Sequence, residues 1–303
     1  MRIGVFFPSV EHVALDAMIC RVEEMRRAGL RSAWLPQNLS FDALVALAVI
    51  GREVPDIELG TSVIPTFPRH PISLAAQALT TNAAVGGRLT LGIGLSHKMS
   101  IEGRYGLPYE RPARHMGEYL SVLLPLLSGE RADFTGETLS GRVELSIPGA
   151  QPPPVLLAAL QPAMLRLAGS IAEGTVTWCT GPVTLEKQIV PIIAQAAAAA
   201  GRAEPRVLVA LPCCVTDDEP DGRHKCDDQL KGYGQIPVYR AVLDVEGAAS
   251  PGDVSIVGDE SSVTGQLRRL EEIGATDFVA IPAGGQSDRA RTLEHLASLA
   301  IDG

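Results

Sequence analysis

Short apolar runs alternate with amphipathic segments along the whole chain. The runs cover 2–7 (RIGVFF), 32–36, 57–64, 88–94, 154–160, 174–180, 206–215 and 277–283. Each is short, rich in aliphatic residues and bounded by glycine, proline or polar residues, which predicts a buried strand. Between them, Leu15, Met18, Ile19, Val22 and Met25 recur three or four apart, as do Met116, Tyr119, Leu120, Leu123 and Leu127. That spacing puts each group on one face of a helix. Similar periodicity predicts helices over 40–53, 71–85, 162–173, 183–200, 260–273 and 287–300. Gly29, Gly86, Gly129, Gly201 and Gly274 stand where those helices should stop, as C-terminal caps do. Strand–helix units repeated in this way over 303 residues predict an α/β protein, a closed (β/α)8 TIM barrel forming one domain over 1–303. Two stretches break the repeat. Residues 128–153 read as a turn-rich hairpin inserted before strand five, and 217–259 as a long, acidic, irregular insertion between strands seven and eight, the kind of loop that forms lids or binding walls.

Composition narrows the function. The net charge is −9 with no Lys/Arg cluster, which argues against a nucleic-acid partner while leaving room for a small phosphate site. The first residues, MRIGVFFPSV, read as a strand rather than a leader, and no apolar stretch reaches the roughly 18 residues of a membrane helix. The expectation is a cytoplasmic protein with a small-molecule substrate and no membrane partner. Cys20, Cys179, Cys213, Cys214 and Cys226 lack metal-ligand spacing and read as buried free thiols, so no metal site is expected.

In a barrel the chemistry sits just after each strand. The candidates are Pro8 and Ser9, Gln37 and Asn38, Ser62 to Thr66, Leu95 to His97, Leu160 and Gln161, Thr180 and Gly181, the residues after Val215, and Ala283 to Gln286. Carboxylates are scarce there, Asp42 and Glu102 being nearest, which argues against a metallohydrolase and a carboxylate-pair glycosidase. LGIGLSHK (91–98) has Gly92 and Gly94 but lacks the third glycine of a dinucleotide fingerprint. Its glycines serve either close strand packing or the approach of a flat ligand to the backbone. CTGPVT (179–184) sets Thr180 and Gly181 ahead of a helix-starting Pro182, which suits either a plain cap or a phosphate cradle. In GTSVIPTFPRHPI (60–72), Pro65, Pro68 and Pro71 predict that strand three stops and a stiff loop follows.

The stretch GTSVIPTFPRHPISLAAQALTTNAAVGGRLTLGIGLSHK resembles the luciferase-like (bacterial luciferase) superfamily, in particular its branch of oxidoreductases that use coenzyme F420, a 5-deazaflavin. WLPQ, LPYERPARHMGEYL, PVLLAAL and TVTWCTGP extend the likeness over essentially the whole chain. The resemblance implies a (β/α)8 barrel with insertions and F420 as cofactor, with FMN as the alternative. It implies a non-prolyl cis peptide at Ser62–Val63 behind the middle ring, cofactor contacts from Gly94, Ser96 and His97, and a phosphate held by Leu160, Gln161, Thr180 and Gly181. Gln37 and Asn38 stand where deazaflavin-dependent sugar-phosphate dehydrogenases carry an Asp–His pair. Neither is a base near neutral pH, so that activity is not expected, and Gln37, Asn38 and Asp42 are left to orient the ring edge.

The implied reaction is hydride transfer between deazaflavin C5 and a small organic substrate, with C=C or C=N reduction favoured. His97, Tyr105, Tyr109 and His115 are the candidate proton donors. Arg111, Arg114 and Tyr239 are either substrate contacts or ordinary ion pairs and helix faces. The alternatives are an FMN-dependent monooxygenase, a flavin-binding protein without turnover, and a barrel isomerase with no redox cofactor. Such relatives are commonly homodimers, which sets the same expectation here.

Overall fold

The structure is a computed structural model that describes residues 1–7 and 13–302, so the candidates Pro8 and Ser9 lie outside the described residues. Parallel strands arise at all eight apolar runs and close into the expected barrel. They are β1 (Arg2–Phe6), β2 (Ser32–Leu35), β3 (Glu58–Thr61), β4 (Leu89–Gly94), β5 (Val155–Ala158), β6 (Gly174–Trp178), β7 (Arg206–Val215) and β8 (Asp277–Pro282). Every residue of β2 and β4 is buried, as strands covered on both faces must be. All five predicted capping glycines have positive φ, from 67° at Gly201 to 113° at Gly274.

The chain divides into two compact units, one holding β1, most of β2 and β6 to β8, the other β3 to β5. In the first, β8 lies between β1 and β7, with Asp277 in register with both Arg2 and Leu208. The Asp277 carboxylate is buried and takes the guanidinium groups of Arg2 and Arg206, each at 2.7 Å, which neutralises a charge that could not otherwise be held there. In the second, β4 lies between β3 and β5. The β3 path leaves the ladder after Thr61 and rejoins it as a two-residue strand, Ile64–Pro65, opposite Ile93 and Gly94. Helix Pro112–Leu127 buries the face read from its periodicity, including Met116, Tyr119, Leu120, Leu123 and Leu127. The expected hairpin forms from Ala132–Thr135 and Ser140–Val143.

Two expectations need correction. Residues 217–259 are not irregular: they contain helices Glu219–Gln229 and Pro237–Glu246 and a strand, Ile256–Gly258, paired with the end of β7. The helix EPDGRHKCDDQ has almost no apolar stripe to read; an Asp218 cap and pairs such as Arg223–Glu219 and Lys225–Asp221 support it instead. Pro71 opens helix Pro71–Ala84, as the periodicity over 71–85 predicts, with His70 capping it through Nδ1. Cys20 is exposed, whereas the other four cysteines are buried.

Candidate active site

At the end of β3 the Thr61 hydroxyl replaces a ladder partner, donating to Gly92 O and accepting from Gly92 N–H, both at 2.8 Å. The next amide, Ser62 N–H, donates to Leu35 O at 2.9 Å, and the Ser62–Val63 peptide is cis, where the resemblance placed it. The bulge lies hard against β4. A Cβ at position 92 would come within 2.0 Å of Thr61 O, and one at position 94 within 2.7 Å of Val63 Cγ2 and 3.0 Å of Ala158 Cβ. Both glycines are therefore dictated by close approach, and Val63 sits against bare backbone at Gly94.

From this platform a hydrogen-bonded network runs outward. Thr66 N–H donates to Gly94 O at 2.9 Å, and the buried Thr66 hydroxyl is 3.2 Å from His115 Nε2. His115 stacks on Phe67 with ring centroids 4.0 Å apart; Phe67 also meets Tyr109, whose hydroxyl donates to Ser96 O at 3.4 Å. Ser96 has a positive φ of 60°, and His97 follows it at the start of helix Lys98–Tyr105 without capping that helix. Burial lowers the pKa of His97 and of His115, with Glu118 opposing the shift at His115, and raises that of Tyr109. At neutral pH both imidazoles are thus neutral and the phenol protonated.

Arg69 closes this side. Its Nη2 donates to Asp42 Oδ2 at 2.6 Å, while Asp42 Oδ1 caps helix Ala43–Glu53 through the amides of Leu44 and Val45. Gln37 caps the same helix, its Oε1 accepting from Ala43 N–H at 2.9 Å. Arg69 O accepts from the Tyr119 hydroxyl at 2.8 Å. Arg69 Nη1 is buried with no partner in the protein; among the described residues the only other buried side-chain polar atom in that state is Trp178 Nε1.

Trp178 ends β6, in the other unit, where the surroundings differ. Its ring meets Phe6 (5.2 Å) and Tyr233 (5.7 Å), and Tyr233 meets Tyr239 edge-on. Leu160, Trp178 and Tyr233 pack against the buried cluster of Cys179, Leu230 and Tyr239. Thr180 is fully buried and its hydroxyl donates to Trp178 O at 3.0 Å. The expected phosphate cradle is filled from within the chain: Glu246 accepts from Val183 N–H (3.2 Å) and Thr184 N–H (2.6 Å), and a Cβ at Gly181 would lie 2.6 Å from its Oε2. The amides freed by Pro182 cap onto a carboxylate, the outcome that an anion-seeking helix start favours when one is within reach.

Among the other residues named from sequence, Asn38 and Gln161 are exposed and Tyr105 stands at the exposed end of its helix. Arg111 and Arg114 both pair with Glu137 on the surface, and Tyr239 is buried. Thr66 lies within the expected stretch Ser62 to Thr66, whereas Arg69, Phe67 and Trp178 were not singled out as site residues. Arg69 lay in view between Pro68 and Pro71, and Trp178 in TVTWCTGP; each was a polar or aromatic residue just past a strand.

Known proteins agree with this architecture. The 5,10-methylenetetrahydromethanopterin reductase of Methanolobus tindarius is 25% identical over 323 residues, covering 96% of this chain and 97% of its own. The structure of the coenzyme F420-dependent tetrahydromethanopterin reductase from Methanopyrus kandleri superposes with a TM-score of 0.80 at 18% identity, covering 100% of this chain and 99% of that one. A type II Baeyer–Villiger monooxygenase from Pseudomonas putida, in complex with FMN, superposes at 0.76 and 16% identity, covering 98% of this chain and 96% of that one. At such identities these structures show the fold. A family model matches residues 1–277, and on that match the chain belongs to the luciferase-like monooxygenase family.

Proposed function

We propose that the chain is an F420-dependent oxidoreductase that transfers a hydride between deazaflavin C5 and a small organic substrate, reducing a C=C or C=N bond. The observation that carries the reading is the Val63–Gly94 platform with the orphaned Arg69 donor beside it, joined through Thr66. Val63, seated against Gly94 and only partly buried, offers a face to a flat ring, and Arg69 Nη1 lacks only an acceptor such as a ring carbonyl. The deazaflavin supplies the hydride at C5 and, with carbon in place of N5, reacts poorly with oxygen. The tetrahydromethanopterin reductase likeness supports this cofactor.

In this reading Ser62, Val63, Gly94, Ser96 and Arg69 line the ring, with Asp42 fixing the Arg69 guanidinium. His115 positions Thr66 rather than meeting substrate, since it is buried between Phe67 and Thr66. His97, half-buried at a helix start, is the proton donor. Tyr109 holds the Ser96 turn from which His97 projects.

The FMN-bound monooxygenase neighbour favours a second reading, FMN-dependent oxygenation. The two separate in one anaerobic experiment with reduced F420 and either cyclohexenone or dihydroisoquinoline. Recovery of the oxidised deazaflavin absorbance with either acceptor supports hydride transfer. Oxygen uptake with reduced FMN, and no F420 reoxidation, supports the monooxygenase.

A further inference from the structure

The chain has two tryptophans and treats their indole N–H groups in opposite ways. Trp34 is fully buried and its indole donates to Ser32 Oγ at 2.8 Å. Trp178 Nε1 is buried and has no partner in the protein. Unpaired buried donors are costly and rare, so a second one at the end of a barrel strand calls for an external acceptor.

The neighbours of Trp178 define what that acceptor belongs to. Phe6 and Tyr233 flank the indole at 5.2 and 5.7 Å, and Leu160, Val238 and Cys179 complete the apolar surface behind them. Burial raises the pKa of Tyr233 and Tyr239, so their phenols stay protonated. None of these side chains carries a charge that could balance a charged ligand, which would then be expensive to bury. Aromatic faces with a single directed donor suit a neutral, flat molecule bearing one acceptor at its edge.

We infer that Trp178 sets substrate specificity, its indole N–H donating to a carbonyl oxygen or unsaturated ring nitrogen on a neutral planar ring compound held against Phe6 and Tyr233. This rests on the hydride-transfer reading and narrows its substrate class. The indole holds that oxygen or nitrogen by one directed hydrogen bond, which a ring lacking such an atom cannot accept.

The test uses full-length protein with isotope-labelled tryptophan, whose two indole N–H resonances are assigned by loss of one in Trp178→Phe. The probes are quinoline and naphthalene, flat bicycles of the same shape that differ by one ring nitrogen. Quinoline is expected to move the Trp178 resonance downfield and leave Trp34 in place, and naphthalene to cause no downfield shift. Equilibrium dialysis should show quinoline preferred over naphthalene by about fivefold, the range for one neutral hydrogen bond, and parity in Trp178→Phe. An unmoved Trp178 resonance, or equal shifts with both probes, overturns the inference. A parallel F420 titration separates the two readings: F420 binding with an unmoved indole sinks only the Trp178 assignment, whereas an indole response without F420 binding sinks the cofactor reading.

Discussion

The ends of β3 and β4 and the end of β6 are built on opposite principles. The first is polar and tightly determined: glycines set by sub-van der Waals clearances, a threonine standing in for a ladder partner, and an Asp42–Arg69 pair that fixes both a helix start and a guanidinium. The second is aromatic and apolar, with its helix start already satisfied by Glu246. A region that must hold one invariant cofactor gains from rigid hydrogen bonding. A region that selects a substrate gains from shape and one or two directed donors. Each contributes one of the two unpaired buried side-chain donors among the described residues.

The comparison can be broken in four places. Gly92→Ala forces a Cβ onto Thr61 O, a backbone atom that cannot turn aside; a loss of about 3 kcal/mol in urea unfolding is expected, at the upper end for overpacking. An unchanged midpoint would mean that the β3 bulge is loose. His97→Gln is expected to lower kcat about 100-fold at acidic pH, as loss of a general acid does. Because burial lowers the His97 pKa, the wild-type rate should fall as pH rises through a value below the ordinary 6.5, since only the imidazolium can donate. Persistence of that limb in the variant would reassign the proton.

The third compares two carboxylates that cap helices. Asp42→Ala loses a cap and leaves Arg69 unpaired, for about 2 kcal/mol, whereas Glu246→Ala loses a cap alone, for about 1 kcal/mol. Equal costs by urea unfolding would show that Arg69 needs no partner. A gain in F420 affinity in Glu246→Ala would return the phosphate to that helix start. The smallest effect is in pH. Burial lowers the His115 pKa below its ordinary 6.5, so the folded chain takes up this proton less readily than the unfolded one. Its contribution is complete above that ordinary value and is lost as pH falls below it toward the lowered folded value. His115→Gln should therefore show a smaller drop in urea midpoint between neutral and mildly acidic pH than the wild type shows.

The barrel was legible because strands buried on both faces leave continuous apolar runs, and eight such runs from RIGVFF to DFVAIP stand clear of their flanks. The helix Glu219–Gln229 was not, because charge pairing supports it in place of an apolar stripe. At the site, Ser62, Val63 and Gly94 could be placed because their neighbours are close in sequence or in register. Arg69 and Asp42 are 27 positions apart, and Glu246 reaches Thr184 across 62. Such pairings depend on which loop meets which, and no local pattern encodes that. The pairing of Glu246 with the amides of Val183 and Thr184 was illegible for this reason: TGP specifies a helix start hungry for an anion but not which carboxylate supplies it.

The central claim is tested most directly by titrating the purified chain with F420, followed by its own fluorescence, beside an identical titration with FMN. The F420-dependent reading predicts saturable F420 binding, with FMN weaker by about tenfold or more, a difference of about 1.4 kcal/mol. FMN binding as tightly as F420, or more tightly, would contradict the account.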